Sequence, residues 1–101
     1  MVAEPLSQHE AEERLRPLPG WSLENGRVTR TYRLGTHAAA AAMVVHIAQI
    51  QDELNHHSEL TLGYSTLTLA VSTHDAGGAV TGLDIALAER VESIAGAHGA
   101  H

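Results

Sequence analysis

The hydrophobic periodicity of this chain alternates between the spacing of a helix and that of a strand, and this alternation restricts the fold more than any other feature. In the middle of the chain, four apolar side chains recur at steps of four, three and four, which is the spacing of one helix face. They are Met43, Ile47, Ile50 and Leu54. Thr36 is the expected N-cap of this helix, which should run to about Asn55.

Two other segments alternate in the manner of strands. Residues 27–34 follow an Asn-Gly dipeptide at 25–26 that is typical of a tight hairpin turn, and we expect a short strand over residues 21–23 before it. Residues 61–72 are also β-rich, but their apolar positions change parity after Tyr64. This change predicts either a bulge or a break between two strands.

Capping signals predict two more helices. Ser7 and Glu10 have the spacing of a capping box, and the helix that they begin should end before Pro17, which cannot continue the hydrogen-bond ladder. Thr81 and Asp84 are the corresponding caps of a third helix. The apolar face expected for that helix consists of Leu83, Leu87, Val91 and Ile94.

The order of these elements is helix, two strands, helix, one or two strands, and helix, which indicates an α+β domain with its helices on one face of an antiparallel sheet. The length predicts a single domain over residues 1–101. Residues 96–101 are small and polar, so we expect a frayed tail. The chain contains no phenylalanine, so small aliphatic side chains must fill its core, and a second copy of the chain would usefully cover one face.

The composition argues against several classes of protein. A formal net charge of −6 disfavours direct binding to nucleic acid, because phosphate contact depends on a basic patch. The absence of cysteine excludes disulfides, thiolate nucleophiles and thiolate metal ligands. The longest apolar run, residues 38–45, is too short to span a bilayer, and the N-terminus lacks the basic region of a signal peptide. We therefore expect a cytoplasmic protein with no membrane contact.

Histidine is unusually frequent, and three of the eight histidines stand at the ends of predicted elements. His56 and His57 follow the second helix, and His74 follows the β-rich segment, positions at which a rigid scaffold presents functional groups. The other five are expected to be surface or helix residues. We expect no site role for His9, His98 and His101, and we leave one open for His37 and His46.

Imidazole exchanges protons near neutrality because its ordinary pKa is about 6.5. Two or three such rings facing one pocket can protonate a leaving group and deprotonate a neighbouring atom. Asp52 lies four residues before His56, so both would share a helix face and the carboxylate would orient or charge that ring. The alternative is that the two histidines lie on the surface without a catalytic role, at a helix C-terminus where a positive charge interacts favourably with the helix dipole.

A histidine metal site is a rival interpretation, since imidazole with carboxylate is an established ligand set for zinc and iron. The usual His-Glu-x-x-His spacing is missing, and adjacent histidines at a helix end diverge, so we predict neither a metal nor another cofactor. The glycine pair at 77–78 lacks the Lys-Ser/Thr continuation of a phosphate loop and is interpreted as a turn.

The residues around the three histidines closely resemble the pterin-4a-carbinolamine dehydratase family. Its pattern runs Ala-Glu-x-x-x-His-His-Pro, then Thr-His-Asp-x-Gly-Gly, then x-x-Asp-x-x-Leu-Ala. The matching stretches here are Asp52-Glu-Leu-Asn-His-His-Ser-Glu59, Ser72-Thr-His-Asp-Ala-Gly-Gly78 and Leu83-Asp-Ile-Ala-Leu-Ala88, with Leu18-Pro-Gly-Trp21 and Arg30-Thr-Tyr-Arg-Leu34 upstream. The resemblance covers residues 15–94, most of the chain.

The resemblance implies a four-stranded antiparallel sheet with three helices on one face, in the order α-β-β-α-β-β-α, assembled into a homodimer or homotetramer. It implies loss of water from 4a-hydroxytetrahydropterin to give quinonoid dihydropterin, the recycling step that follows an aromatic amino acid hydroxylase. His56 and His74 match the principal acid and base, and His57 matches a substrate-binding partner with a catalytic role. Four further positions match the pterin lining: Ser58, Thr73, Asp75 and Ala76.

Several residues depart from the family pattern. Ser58 stands where the family has proline, Asp52 replaces a glutamate, and the segment after Gly78 is one residue longer than the common form. These departures keep a second hypothesis open, a non-catalytic relative that serves as a transcription-dimerisation cofactor or a protein-assembly factor. A small histidine metalloprotein is the third.

Overall fold

Local turn and capping chemistry decides where each element of this fold begins and ends. A computed structural model describes residues 3–101. Its elements are α1 (Gln8–Leu15), β1 (Ser22–Glu24), β2 (Arg27–Arg33), α2 (His37–Leu54), β3 (Glu59–Leu62), β4 (Thr66–Val71) and α3 (Gly82–Ala95). Two short 3-10 helices, His74–Ala76 and Gly96–His98, follow β4 and α3.

The three helices begin at the polar caps that the sequence predicts. The Ser7 hydroxyl accepts the Glu10 N–H at 3.1 Å, and the Glu10 carboxylate accepts the Ser7 N–H at 2.9 Å. These bonds from Ser7 lower the pKa of the Glu10 carboxyl. Thr36 caps α2, and Thr81 caps α3 in a second capping box with Asp84. Each cap satisfies backbone donors that the first turn of a helix leaves unpaired.

The four strands form one antiparallel sheet in the order β1-β2-β4-β3. β2 and β4 are the central pair, and Val28 lies opposite Val71 on the buried face. The other face carries threonines, of which Thr31 and Thr68 share a hydroxyl hydrogen bond of 3.0 Å. The helices cover the apolar face, so the expected α+β class and the order α-β-β-α-β-β-α are confirmed.

The parity change in the β-rich segment is a break between two strands. β3 and β4 are joined by a turn at residues 63–65, which is closed by the Gly63 N–H donating to the Thr66 carbonyl at 2.8 Å. Leu60 lies opposite Leu69 after the turn, so both strands direct leucine toward the helices. The break lets each strand keep its own apolar parity.

The core consists mainly of aliphatic side chains, with one aromatic pair at its edge. The rings of Trp21 and Tyr32 meet edge to face, with centroids 6.2 Å apart. Both donate to one carboxylate oxygen of Glu92, from Trp21 Nε1 at 3.0 Å and from the Tyr32 hydroxyl at 2.6 Å. Burial, together with the bond to Glu92, raises the pKa of the Tyr32 hydroxyl well above its usual range.

Two predictions were wrong. Leu83 is 43% exposed, so it does not lie on the buried face of α3. The next residue, Asp84, points inward instead, because its carboxylate caps the helix. The tail is not frayed: the backbone of His101 accepts from the Arg33 N–H at 2.8 Å and donates to the Arg33 carbonyl at 3.0 Å. β1 is only three residues long, so it leaves the end of β2 free to pair with the tail.

Within residues 3–101, none of the helices is long and apolar enough to cross a membrane.

Candidate active site

The end of α2 sends its two following histidines in different directions. Asn55 adopts the left-handed conformation at φ 50°, and the His56 N–H donates back to the Gln51 carbonyl at 3.0 Å, which together make a Schellman motif. His56 then turns inward and is 9% exposed, whereas the ring of His57 lies on the surface. The motif therefore separates one buried from one exposed imidazole.

His56 binds a fully buried carboxylate. Its Nε2 lies 2.6 Å from Oδ1 of Asp84, which is 0% exposed. The other carboxylate oxygen accepts the Thr73 hydroxyl at 2.9 Å and the Thr81 N–H at 2.8 Å. The hydroxyls of Thr73 and Thr81 also meet at 2.7 Å. This network joins the end of α2, the end of β4 and the beginning of α3 in the buried interior, where a charged group persists only when its hydrogen bonds are satisfied.

The prediction that Asp52 orients His56 was wrong, because Asp52 contacts His57 instead. Asp52 Oδ1 lies 3.0 Å from His57 Nε2, and both side chains are exposed. A spacing of four residues aligns side chains only while the helix continues, and the left-handed Asn55 ends it before His56. The exposed pair is correspondingly weak compared with the buried one.

His74 opens the short 3-10 helix that follows β4. Its side chain is exposed, as is that of Asp75, while Ala76 is half-buried and Thr73 is buried. The Thr73 carbonyl accepts the N–H of Gly78 at 3.0 Å, and both glycines of the following turn have positive φ, 70° and 85°. Glycine adopts this conformation without the penalty that a Cβ would impose. The predicted turn at 77–78 is thus confirmed.

The structure links some of the predicted site residues directly and leaves others unlinked. Asp84 connects His56 to Thr73, and His74 is the next residue of the chain. In the described part of the chain, the rings of His57 and His74 make no hydrogen bond to His56. The predicted residues therefore form a buried anchor, His56 with Thr73, and an exposed rim.

Sequence reasoning missed two residues of this neighbourhood. Asp84 was recognised only as a helix cap and as part of a family motif, although its second oxygen binds His56. Gln51 was not singled out at all, yet its buried side chain accepts the N–H of Ser58 at 2.9 Å. A signal for Asp84 existed, since a capping carboxylate keeps one oxygen free for a second partner. Gln51 gave no such signal.

The arrangement is suited to proton transfer. A carboxylate oxygen only accepts hydrogen bonds, so His56 Nε2 carries the hydrogen in the bond to Asp84 and Nδ1 of the neutral ring is left as an acceptor. An aspartate in this position fixes both the tautomer and the orientation of an imidazole. Among the described residues, 3–101, no three His, Asp or Glu side chains are placed to hold a metal ion together.

Comparison with known sequences identifies relatives over nearly the whole chain. The family model described as pterin 4 alpha carbinolamine dehydratase matches residues 4–94. A protein of Streptomyces coelicolor, provisionally named a pterin-4-alpha-carbinolamine dehydratase, is 69% identical over 101 residues, which is the whole of both chains. A protein of Chloroflexus aurantiacus with the same provisional name is 43% identical over 90% of this chain and 97% of its own.

Solved structures agree with this assignment. The fold is similar to that of a transcriptional coactivator/pterin dehydratase from Brucella melitensis, with a TM-score of 0.82 and 30% identity over 90% of this chain and 98% of that one. A pterin dehydratase-like protein described as a RuBisCO assembly factor of the alpha-carboxysome shares the fold alone, with a TM-score of 0.60 and 18% identity over 75% of this chain and 87% of that one. With a matching fold and a family match that includes all three site histidines, the chain belongs to the pterin 4-alpha-carbinolamine dehydratase family.

Proposed function

We propose that this protein catalyses the loss of water from 4a-hydroxytetrahydropterin to give quinonoid dihydropterin. The observation that carries the proposal is the buried contact between His56 Nε2 and Asp84 Oδ1, because it holds an imidazole in one tautomer at a family site. In this reaction the C4a–O bond breaks and the hydroxyl leaves as water after accepting a proton. The N5 lone pair forms the C4a–N5 double bond, and N5 gives up its proton.

Two groups are needed, one to donate a proton to the hydroxyl and one to accept a proton from N5. We assign these roles to His56 and His74, with the buried carboxylate of Asp84 stabilising the positive charge on His56 whenever that ring is protonated. A well-placed acid or base contributes about 10²–10⁴ in rate. The reaction changes no oxidation state overall and needs no redox cofactor. Once both transfers are complete, exchange with water returns the two rings to their starting protonation.

Substrate binding is assigned to the rim of the site. His57 holds the pterin ring, and Ser58 lines it from the same segment. Thr73, Asp75 and Ala76 line it from the other side, next to the exposed turn at 77–78. The exposure of His57, His74 and Asp75 supports this assignment, because a small-molecule substrate must reach them from solvent.

A stopped-flow assay with synthetic 4a-hydroxytetrahydropterin tests the proposal. We expect the purified protein to accelerate dehydration, and we expect the double variant H56A/H74A to lose that acceleration. H74A alone changes an exposed side chain, so it should fold normally and lose activity by about 10² or more. The double variant H9A/H101A, which removes two histidines outside the site, should remain as active as the parent. Near-normal turnover by a folded H56A/H74A protein would refute the assignment.

A non-catalytic role is the second candidate, because a protein with the same fold is described as a RuBisCO assembly factor. The departures from the family pattern at Ser58 and Asp52 are a second reason to consider a non-catalytic role. The two candidates predict different results in one purification. Protein that fails to accelerate dehydration but copurifies with a large partner would support the assembly role.

The proposal includes self-association, a cytoplasmic setting and a functional link to an aromatic amino acid hydroxylase. Self-association is supported by three exposed apolar side chains, Val45, Leu62 and Tyr64, of which Tyr64 is 85% exposed. β3, which contains Leu62, is also an edge strand with one unpaired side. Light scattering on the purified chain distinguishes a dimer or tetramer from a monomer.

A further inference from the structure

A buried glutamine accepts hydrogen bonds from the first residue of the histidine pair and from the residue that follows the pair. Gln51 is 5% exposed and lies in the last turn of α2. Its backbone carbonyl accepts the N–H of His56 at 3.0 Å. Its side-chain Oε1 accepts the N–H of Ser58 at 2.9 Å and also the Ser58 hydroxyl. One residue therefore fixes the start of the pair with its backbone and the residue after the pair with its side chain.

Two departures from the family pattern meet in this contact. The pattern has alanine where this chain has Gln51 and proline where it has Ser58. Proline restricts φ without any partner and has no N–H to donate. Serine leaves φ free but supplies an N–H and a hydroxyl, and both find their acceptor in Gln51. Alanine at position 51 has no such acceptor, so the contact requires both Gln51 and Ser58.

We propose that Gln51 is a positioning residue for the histidine pair, and that its hydrogen bonds to Ser58 supply the restriction that proline supplies in the family pattern. The segment between them carries His56 toward Asp84 and His57 toward Asp52. Asn55 has already ended the helix, so the helical ladder holds nothing beyond the His56 N–H. The contact with Ser58 anchors the far end, one residue before β3 begins at Glu59. The effect on catalysis rests on the proposed function, whereas the effect on the segment does not.

Because Gln51 is buried, breaking its contact with Ser58 should destabilise this segment. A buried donor or acceptor that loses its partner costs more than the hydrogen bond contributes, whereas removing both partners together is nearly neutral. Q51M keeps the length of the side chain and removes the acceptor. S58P removes the N–H donor and the hydroxyl. Each single change leaves the other residue without its hydrogen-bond partner. The double variant Q51M/S58P removes both partners together and restores the proline.

Amide hydrogen exchange and dehydration kinetics on these three variants test the proposal. In Q51M we expect the Ser58 amide to exchange about tenfold faster or more, the equivalent of one lost hydrogen bond. We expect kcat to fall about tenfold because the histidines lose their alignment. S58P should lose activity to a similar extent. Q51M/S58P should recover to within about threefold of the parent, which a merely additive loss would not produce.

Q49M is the matched control. Gln49 lies on the same helix two residues earlier and is exposed, so its replacement should leave Ser58 exchange and kcat unchanged. Unaltered protection of the Ser58 amide in Q51M would overturn the proposal, and so would a double variant that is worse than either single one. If the parent protein itself fails to dehydrate the substrate, the proposed function fails, and the exchange data still decide whether Gln51 positions the segment.

Discussion

Asp84 uses its two carboxylate oxygens for two different tasks, since Oδ2 closes the cap of α3 on Thr81 while Oδ1 binds His56 at 2.6 Å. The beginning of a helix and the orientation of a site imidazole thus depend on one buried side chain. A change at Asp84 that preserves the cap separates the two tasks, because only the contact with His56 involves proton exchange.

Replacing Asp84 by asparagine should preserve the fold and impair the chemistry. The asparagine oxygen must accept the Thr81 N–H, so the amide nitrogen faces His56 and donates to Nε2. The ring must then carry its hydrogen on Nδ1, which is the opposite tautomer. We expect D84N to lose about 10²-fold in dehydration rate, and imidazole ¹⁵N shifts should show the tautomer change. E89Q, an exposed change on the same helix, should alter neither.

Replacing Asp52 by asparagine should have a small effect, in contrast to Asp84. The Asp52–His57 pair is exposed, so water and salt already screen it. We expect the free energy of unfolding to change by no more than about 1 kcal/mol and the dehydration rate to change by less than about tenfold. Urea unfolding and kinetics at low and high salt measure both. E53Q, which breaks the neighbouring exposed pair with Arg90, is the control. A loss as large as that of D84N would contradict the exposed position of Asp52.

Asn55 holds the left-handed turn from which both histidines depart. Alanine at this position should cost about 1 kcal/mol because it lacks the short polar side chain that lets asparagine adopt φ near 50°, while glycine, which has no Cβ, should be tolerated. Asn25 has the same backbone conformation in the β1–β2 turn, at φ 54°, and is far along the chain from the histidines. Thermal unfolding should therefore show similar losses for N55A and N25A, whereas only N55A should slow dehydration. Equal activity of the two variants would separate the turn from the site.

The free energy of unfolding should fall in alkali because of Tyr32. Its pKa is raised in the folded protein, so above pH about 10 the unfolded chain releases a proton that the folded chain keeps. Stability is fully present below that pH and should decrease by up to about 1.4 kcal/mol per pH unit as the pH rises above it. The chain has neither lysine nor cysteine, so few other side chains titrate in this window. Urea unfolding at several pH values should give a flatter profile for Y32F and an unchanged one for Y64F, because Tyr64 is exposed.

Local rules accounted for most of the architecture. The capping boxes at Ser7 and Thr81, the turn at 25–26 and the helical stripe of α2 were each readable from short-range spacing, because each depends on neighbours within one or two turns. The apolar face of α3 was misjudged at Leu83 because apolar character alone does not reveal that a capping aspartate points inward. The tail was misjudged because its partner, Arg33, lies far away in sequence.

The sequence by itself determined that three histidines stand at the ends of elements and that the chain resembles one family over most of its length. Only the tertiary structure decided which carboxylate serves which imidazole. Asp52 is near His56 in sequence, but Asn55 ends the helix between them, and Asp84, 28 residues away from His56, takes the place beside it. The contact between Gln51 and Ser58 was equally hidden, since its energy depends on burial that only the folded chain creates.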